Sequence, residues 1–584
     1  MAKLFKRLRP LDMVYIAVIV VFVVISVWLT LTIPDYMTEI TTIVKAGGSS
    51  GDVLRAGLAM LACAVGDVIC TVVVGFFTSR VSAGFSKRLR HDIYAKIMDF
   101  SMQEINGFST GGLVTRTGND VSQIQMFIAL GLLAFLRAPV IAVWAFCKII
   151  GKGNEWLLVT GIAIAIVVVH LIINRILVTP KFRIFQKLTD TINRLTSENL
   201  NGVRVVRAYN AEEYQRKKFD KTNVEALKAH LFTGKVMSFL HPGIQFVMNC
   251  TTLTIYIVGA FVINAAAVTE RIGIFGNLVV FMAYVMQILI SFMMISMVFM
   301  IFPRAEVSAA RINELLDREV RIRDGNLKEV PGNRGTIEFR NATFKYPDAE
   351  AAVLENVSFT VEKGETAAFI GSTGSGKSTL INLIPRFYDV TEGAVLVNGV
   401  DVREYNLKDL HGKMGYVPQK AVLFKGTIGS NIDYGSNGRG GSREEIVHAL
   451  EVAQGGDILK GEELGIDAPV AQGGVNFSGG QRQRISIARA IYKKPEFFIF
   501  DDSFSALDYK TDRKLRKELK KETEGVTTLI VAQRIGTVKD ADKIVVLDEG
   551  RVVGLGTHRE LLKSCEVYRQ IAYSQLSKEE LEDA

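Results

Sequence analysis

The sequence predicts a multidomain membrane protein: an all-α domain of six spanning helices with long cytoplasmic helical extensions, followed by a soluble α/β domain. Three observations predict it. Nearly uncharged runs lie at roughly 14–33, 56–78, 126–149, 156–173, 243–265 and 272–302, each close to the ~20 residues that a bilayer-spanning helix needs. The long gaps after the second and fourth runs carry charges at helical spacing with few breakers. From about residue 336 the chain changes to short apolar strands separated by Gly-rich turns. Over 584 residues, 49% apolar and 22% charged types exclude one small domain and disfavour a fully soluble or disordered chain. The net charge of +9 suits a nucleic-acid partner or the cytoplasmic face of a membrane protein equally well, so it decides nothing alone.

The first run, Val14 to Ile33, is too long and too poor in small-residue cleavage sites for a signal peptide and is expected to stay as a helix. Lys3, Lys6, Arg7 and Arg9 precede it, against a single Lys45 after it, which predicts a cytoplasmic N-terminus. Six spans then return the C-terminus to the same side, in a multi-pass protein of the plasma membrane. The gaps alternate: short outside near 34–52, 150–155 and 266–271, long inside at 79–125 and 174–242. Segments such as Arg80 to Phe100 and Lys181 to Asn201 are expected to prolong the membrane helices, ~30 residues giving ~45 Å. Breaks at Asn106-Gly107, Thr110-Gly111-Gly112 and Tyr209-Asn210-Ala211-Glu212 would mark the tips, where a cytoplasmic domain could touch.

Two charges interrupt the spans, Asp67 in the second and Arg137 in the third. Either they pair or line a polar pathway, or both reach water or headgroups. The sixth run carries Met282, Met286, Met293, Met294, Met297 and Met300, an adaptable surface for apolar ligands or simple helix packing. The cysteines Cys63, Cys70, Cys147, Cys250 and Cys565 have no metal-ligand spacing and read as packing thiols.

After a charged connector (Arg304 to Arg334), Thr336 to Phe339 opens the soluble domain, and domain limits are expected at 1–310, 311–334 (linker) and 335–584. The decisive segment is Phe369-Ile370-Gly371-Ser372-Thr373-Gly374-Ser375-Gly376-Lys377-Ser378-Thr379, a strand, then GxxxxGK[ST], then the apolar start of a helix. It is a P-loop: glycines let backbone N–H groups approach phosphates, Lys377 reaches the β/γ oxygens, and the Ser378 hydroxyl can ligate Mg²⁺. A second apolar strand, Phe497 to Phe500, ends in Asp501, placed to hold that metal through its shell. The α/β part therefore reads as a P-loop domain that binds a nucleotide with Mg²⁺. P-loops serve many kinds of work, so these two motifs leave the task open.

Val417-Pro418-Gln419 and Asn476-Phe477-Ser478-Gly479-Gly480-Gln481-Arg482-Gln483-Arg484 narrow it. With them the chain resembles the ATP-binding cassette (ABC) family, whose order of motifs is matched throughout 336–570; six spans fused ahead of a cassette look like an exporter half-transporter. Gly202 to Tyr209 looks like its second coupling loop. The resemblance implies that Tyr346 stacks on adenine, and that Gln419 senses metal and γ-phosphate while contacting the coupling loops. It makes Ser505-Ala506-Leu507-Asp508 the D-loop, and has Ser478, Gly479, Gly480 and Gln481 cap ATP held by another subunit.

The chain departs from the family where the catalytic Glu and switch His are usual: Asp502 and Gln533 stand there, and Val470-Ala471-Gln472-Gly473 replaces a VGE-type segment. Asp places its carboxylate roughly 1–1.5 Å short, a misplacement that can cost ~10²-fold, and Gln cannot become a cation. With the P-loop and signature intact, the loss is selective. The chain thus resembles the degenerate-site subunit of bacterial heterodimeric multidrug-type exporters: it would hold ATP in a slow site and lend its signature to a partner half-transporter. A slow homodimer and an ATP-gated channel or sensor are the competing readings; a nucleic-acid motor is disfavoured by the six spans. Drugs, lipids and peptides all pass through this architecture, so the cargo is not readable.

Overall fold

Six helices long and apolar enough to cross a membrane run over Pro10–Lys45, Ser50–Met98, Thr110–Ile149, Asn154–Asn201, Glu212–Ala265 and Arg271–Leu316. This computed structural model describes residues 1–150, 153–268, 270–327, 335–347, 349–436, 440–461 and 463–576. Its compact units are Met1–Met98 with Ser109–Arg318, and Asp99–Phe108 with Glu319–Ala584.

In the first unit the 49-residue helix Ser50–Met98 would extend about 74 Å, more than twice the hydrocarbon thickness of a bilayer. Its apolar stretch is long enough to cross the membrane, and the helix runs on without a break through the charged remainder, as the sequence predicts. Pro34, Pro139, Pro180 and Pro303 lie inside helices, which packed spanning helices tolerate because neighbours re-satisfy the freed carbonyls. The last helix continues past Pro303 to Leu316, so residues 311–316, read above as the start of the linker, are helical. Ala305, Ala309, Ile312 and Leu315 are all fully buried on one stripe at helical spacing, and that burial carries the helix onward. Residues 328–334 of the expected linker, the tail 577–584 and the Met300 side chain lie outside the described residues.

The two intramembrane charges face each other. Arg137 Nη2 lies 3.6 Å from Asp67 Oδ1; the Ser26 hydroxyl also donates to Asp67, and Arg137 Nη1 donates to Thr71 Oγ1 at 3.3 Å. Pairing, the first of the two readings, is what the helices achieve. Among the described side chains of the sixth-run methionines, Met282 is buried, Met286, Met293 and Met294 are half-buried and Met297 is exposed.

The second unit is built on a six-stranded sheet in the order Arg551–Gly556, Lys543–Asp548, Thr366–Gly371, Thr527–Val531, Phe497–Asp501, Met414–Val417. All neighbours are parallel except the edge hairpin. Side chains alternate across the sheet: Phe369, Phe497 and Ile499 enter one core, Ile370, Phe498 and Phe500 the other. A four-stranded antiparallel sheet, Leu354–Val361, Ile337–Phe344, Glu392–Val397 and Val400–Asp401, accompanies the first of these cores. Asp99–Phe108, which carries the short helix Met102–Asn106, belongs to this unit.

Candidate functional site

Parallel sheets bind ligands in the crevice beyond the carboxyl ends of their strands, and four neighbouring strands deliver the site there. Thr366–Gly371 runs into the P-loop and its helix Lys377–Leu383. Phe497–Asp501 ends at Asp501, Thr527–Val531 leads to Gln533, and Met414–Val417 leads to Gln419. Register keeps the ends level: Val531 pairs with both Phe369 and Asp501. The glycines are required by space: a Cβ on Gly371 would lie 2.0 Å from the Leu547 carbonyl oxygen, and Gly376 has φ +93° with Leu354 2.7 Å from any added Cβ.

The cradle is closed on itself by its lysine. Lys377 Nζ donates to the carbonyls of Gly371 at 2.9 Å and Ser372 at 2.7 Å, and to Ser375 Oγ at 3.3 Å. Burial lowers the Lys377 ammonium below its ordinary range, opposed by the charges of Asp502 and Asp501. Ser378 Oγ donates to Asp501 Oδ1 at 2.8 Å, joining the two motifs at one oxygen pair. Burial raises the Asp501 carboxyl, the Ser378 hydrogen bond pulling it down and the Asp502 charge pushing it further up. A hydroxyl and a carboxylate beside a phosphate-sized loop are the hard oxygen donors that suit Mg²⁺.

Asp502, 7% exposed, gathers the remaining polar groups. Gln419 Nε2 donates to its Oδ2 at 3.3 Å and Gln533 Nε2 donates to the same oxygen at 3.0 Å. Burial raises this carboxyl too, against the Gln419 and Ser505 hydrogen bonds. Its backbone is left-handed, φ +44°, a region in which Asp and Asn are enriched among non-glycine residues. The three residues singled out from the sequence for hydrolysis thus meet at a single oxygen.

Tyr346 stands beside the P-loop helix, its hydroxyl 3.2 Å from Thr379 Oγ1. Its ring packs edge-on to Phe344 and Tyr388, with centroids 4.8 and 5.4 Å away. Sequence reasoning missed Tyr388. Its hydroxyl accepts from Asn106 Nδ2 at 3.0 Å, so the tip helix Met102–Asn106 reaches the ring beside Tyr346. Within this subunit Gln419 bonds Asp502, and the tip helix bonds Tyr388. The local sequence marks the tip helix, a Ser101-x-x-Glu104 capping box between Phe100 and Phe108, but not its partner Tyr388.

Ser478 caps the helix Gly479–Tyr492: its Oγ accepts from Gln481 N at 3.2 Å while Gln481 Oε1 accepts from Ser478 N at 2.8 Å, a capping box. Both residues are solvent-accessible, and among the described residues no hydrogen bond or ion pair joins Ser478–Gln481 to the P-loop. Asp508 caps the next helix, Tyr509–Glu522, by accepting from Thr511 N at 2.9 Å, and that N–H holds its carboxyl below the ordinary range. In the Val470 to Gly473 segment, Asn476 bridges Ala471 N and the Pro469 carbonyl at 3.0 and 2.9 Å.

Comparison with known proteins agrees with this geometry. Residues 16–293 match the family described as the ABC transporter transmembrane region, and 354–505 the ABC transporter family. An uncharacterized ABC transporter ATP-binding protein of Mycobacterium tuberculosis is 37% identical over 98% of both chains. An ATP-dependent lipid A-core flippase of Aromatoleum aromaticum is 30% identical over 86% of this chain and 82% of its own length. Among solved structures, a bacterial Atm1-family ABC exporter with ATP bound superposes with TM-score 0.83 at 24% identity, covering 97% of this chain and 98% of that one.

Proposed function

The chain belongs to the ABC transporter family as an ATP-driven exporter with membrane domain and cassette fused, and from that premise we propose that it is the degenerate half of a heterodimer. ABC exporters dimerize, and the exposed Ser478–Gln481 cap supports a signature that serves a nucleotide on the other subunit. The observation that carries the reading is the oxygen shared by Gln419 and Gln533. Asp502 Oδ2, which would have to take a proton from the attacking water, already accepts two amide N–H groups, and neither amide can supply a cation.

In this reading the backbone of Gly371 to Thr379 holds the phosphates, and Lys377 exchanges its own loop carbonyls for the β/γ oxygens. Ser378, Asp501 and Gln419 would hold Mg²⁺, which would supply charge neutralisation to the phosphates. Tyr346 takes the adenine, and Asp508 sits at the face toward the partner. Asp502 polarises water poorly, so nucleotide is gripped and slowly cleaved, while the partner's site drives the cycle. Both termini are cytoplasmic in the plasma membrane, from the basic excess before the first span.

The test is ATPase of the purified chain alone against the chain with its co-purified partner. Slow turnover alone and brisk turnover in the mixed pair is the expected result; brisk, signature-dependent turnover by the lone chain overturns the proposal. Gln533→His, alone and with Asp502→Glu, should raise the slow site's activity. The single variant matters because the left-handed backbone at 502 favours Asp over Glu.

A further inference from the structure

A cavity of about 440 Å³ lies in the first unit between the segment before the first span and the second helix, lined by Arg7, Arg9, Lys87, Arg88, His91 and Asp92 among others. The volume falls within the range of ligand pockets, about 300–1,000 Å³. Its charges are unequally answered. Arg7 pairs with Asp92 at 3.3 Å, and Arg88 pairs with Asp12, a buried carboxylate that also accepts from Arg9 N at 2.9 Å. Among the described residues Arg9 and Lys87 have no carboxylate partner, and Arg88 Nε is a buried donor without an acceptor. Arg9 and Lys87 are exposed cations lining the cavity without a counter-charge, so the cavity presents an unbalanced positive wall to an anion.

The depth identifies the kind of anion. Arg80 stacks over the Tyr15 ring at 5.9 Å, just where the two apolar spans begin and end. Arg9 lies six residues before Tyr15 and Arg88 eight beyond Arg80, about 9 and 12 Å along helices rising ~1.5 Å per residue. Side chains lean toward the N-terminus of their helix, and for Lys87 and Arg88 that end lies toward the membrane. Leu11 and Met13, 58% and 56% exposed on the neighbouring helix, offer apolar surface at the same level. Guanidinium forks match phosphate oxygens in geometry, and basic pockets between spanning helices hold lipid headgroups. We propose that this cavity binds a phosphate ester, and that its natural occupant is the headgroup of an anionic phospholipid.

The experiment uses the delipidated full-length protein in detergent, titrated with phosphatidylglycerol or phosphatidylcholine, with retained lipid counted by native mass spectrometry and thermal stability followed in parallel. Phosphatidylglycerol should be retained and should raise the melting temperature, with phosphatidylcholine doing neither. Arg9→Gln combined with Lys87→Gln should weaken phosphatidylglycerol binding about 30-fold, the effect of two basic residues at a membrane surface. Gly84→Leu keeps every charge but fills the cavity, since a Cβ there already lies 3.5 Å from Arg88 Nη1; it should block retention as well, and it keeps the test valid if the double variant misfolds. Equal retention of the two lipids, or variants that hold phosphatidylglycerol as the parent does, overturns the site. Inorganic phosphate at millimolar concentration displacing phosphatidylglycerol and matching its stabilisation overturns the lipid as occupant and assigns the cavity to soluble phosphate.

Discussion

Replacing Arg137 with Met should destabilise the membrane domain, and replacing Asp67 with Asn in the same chain should restore it. At 3.6 Å the Arg137–Asp67 attraction is gross, about 4–5 kcal/mol at an effective dielectric of about 20. The side chains are 19% and 24% exposed, so screening trims that figure. Ser26 continues to solvate Asp67 once the guanidinium is gone, which trims it again. A loss of about 2–3 kcal/mol is expected for Arg137→Met, below the usual cost of stranding a fully buried charge. The double variant leaves no stranded charge and should come within about 1 kcal/mol of the parent, a coupling energy of about 2 kcal/mol. The assay is thermal unfolding of the four proteins in one detergent, where each kcal/mol moves the midpoint by about 2–4 °C. If the two single losses simply add in the double variant, the charges do not sense each other and the pairing argument fails.

Tyr388→Phe strips the acceptor from Asn106 Nδ2; it should cost about 1 kcal/mol locally and lower ATP-driven transport in vesicles while leaving nucleotide affinity within about twofold. Asp502→Asn tests the raised carboxyl. A native value above the unfolded one means that the folded state binds the proton more tightly, so the nucleotide-free protein loses stability as pH rises from the ordinary Asp value through the raised one. The Asn variant should therefore gain melting temperature over the parent at pH 7 and lose that advantage near pH 4, and a constant offset at all pH values would refute it. Ser478→Asp keeps an N-cap oxygen for Gln481 N but sets a negative charge where phosphate should dock; it should leave folding unchanged by circular dichroism and cut the mixed pair's ATPase about 100-fold.

The parts of this fold legible in the sequence are those written in local patterns. Apolar runs exposed the six spans because a bilayer requires a fixed length of unbroken helix, and Phe497 to Phe500 reads as continuous apolar sequence because a parallel strand is covered on both faces. The P-loop showed through its glycines, whose spacing answers to backbone clearance. What stayed hidden depends on distant partners. Asn106 and Tyr388 are 282 positions apart and Asp67 and Arg137 sit on different helices; no periodicity sets their mutual register. The end of the sixth helix was obscured by charge: the residues after Pro303 look like a connector until the stripe Ala305, Ala309, Ile312, Leu315 is traced. The left-handed turn at Asp502 had no sequence mark either, since Asp occupies many kinds of loop.

The strand order explains why the changes at 502 and 533 belong together. Thr527–Val531 lies between the P-loop strand and the strand ending in Asp501, so the residue two places beyond it must fit both the phosphate cradle and the carboxylate following Asp501. Gln533 donates to Asp502 at 3.0 Å, and Gln419 donates to it from the other neighbour of that strand. A longer Glu would carry its oxygens past this pair of amides, and a shorter switch side chain would leave Asp502 buried with less hydrogen bonding, a costly state for a carboxylate. These three groups are matched to one another. Lys377, Ser378 and Asp501 keep their own bonds in the same crevice. The proposed degenerate role draws its support from this mutual adjustment: an intact P-loop beside a satisfied, sequestered carboxylate is suited to holding nucleotide across a dimer more than to cleaving it fast.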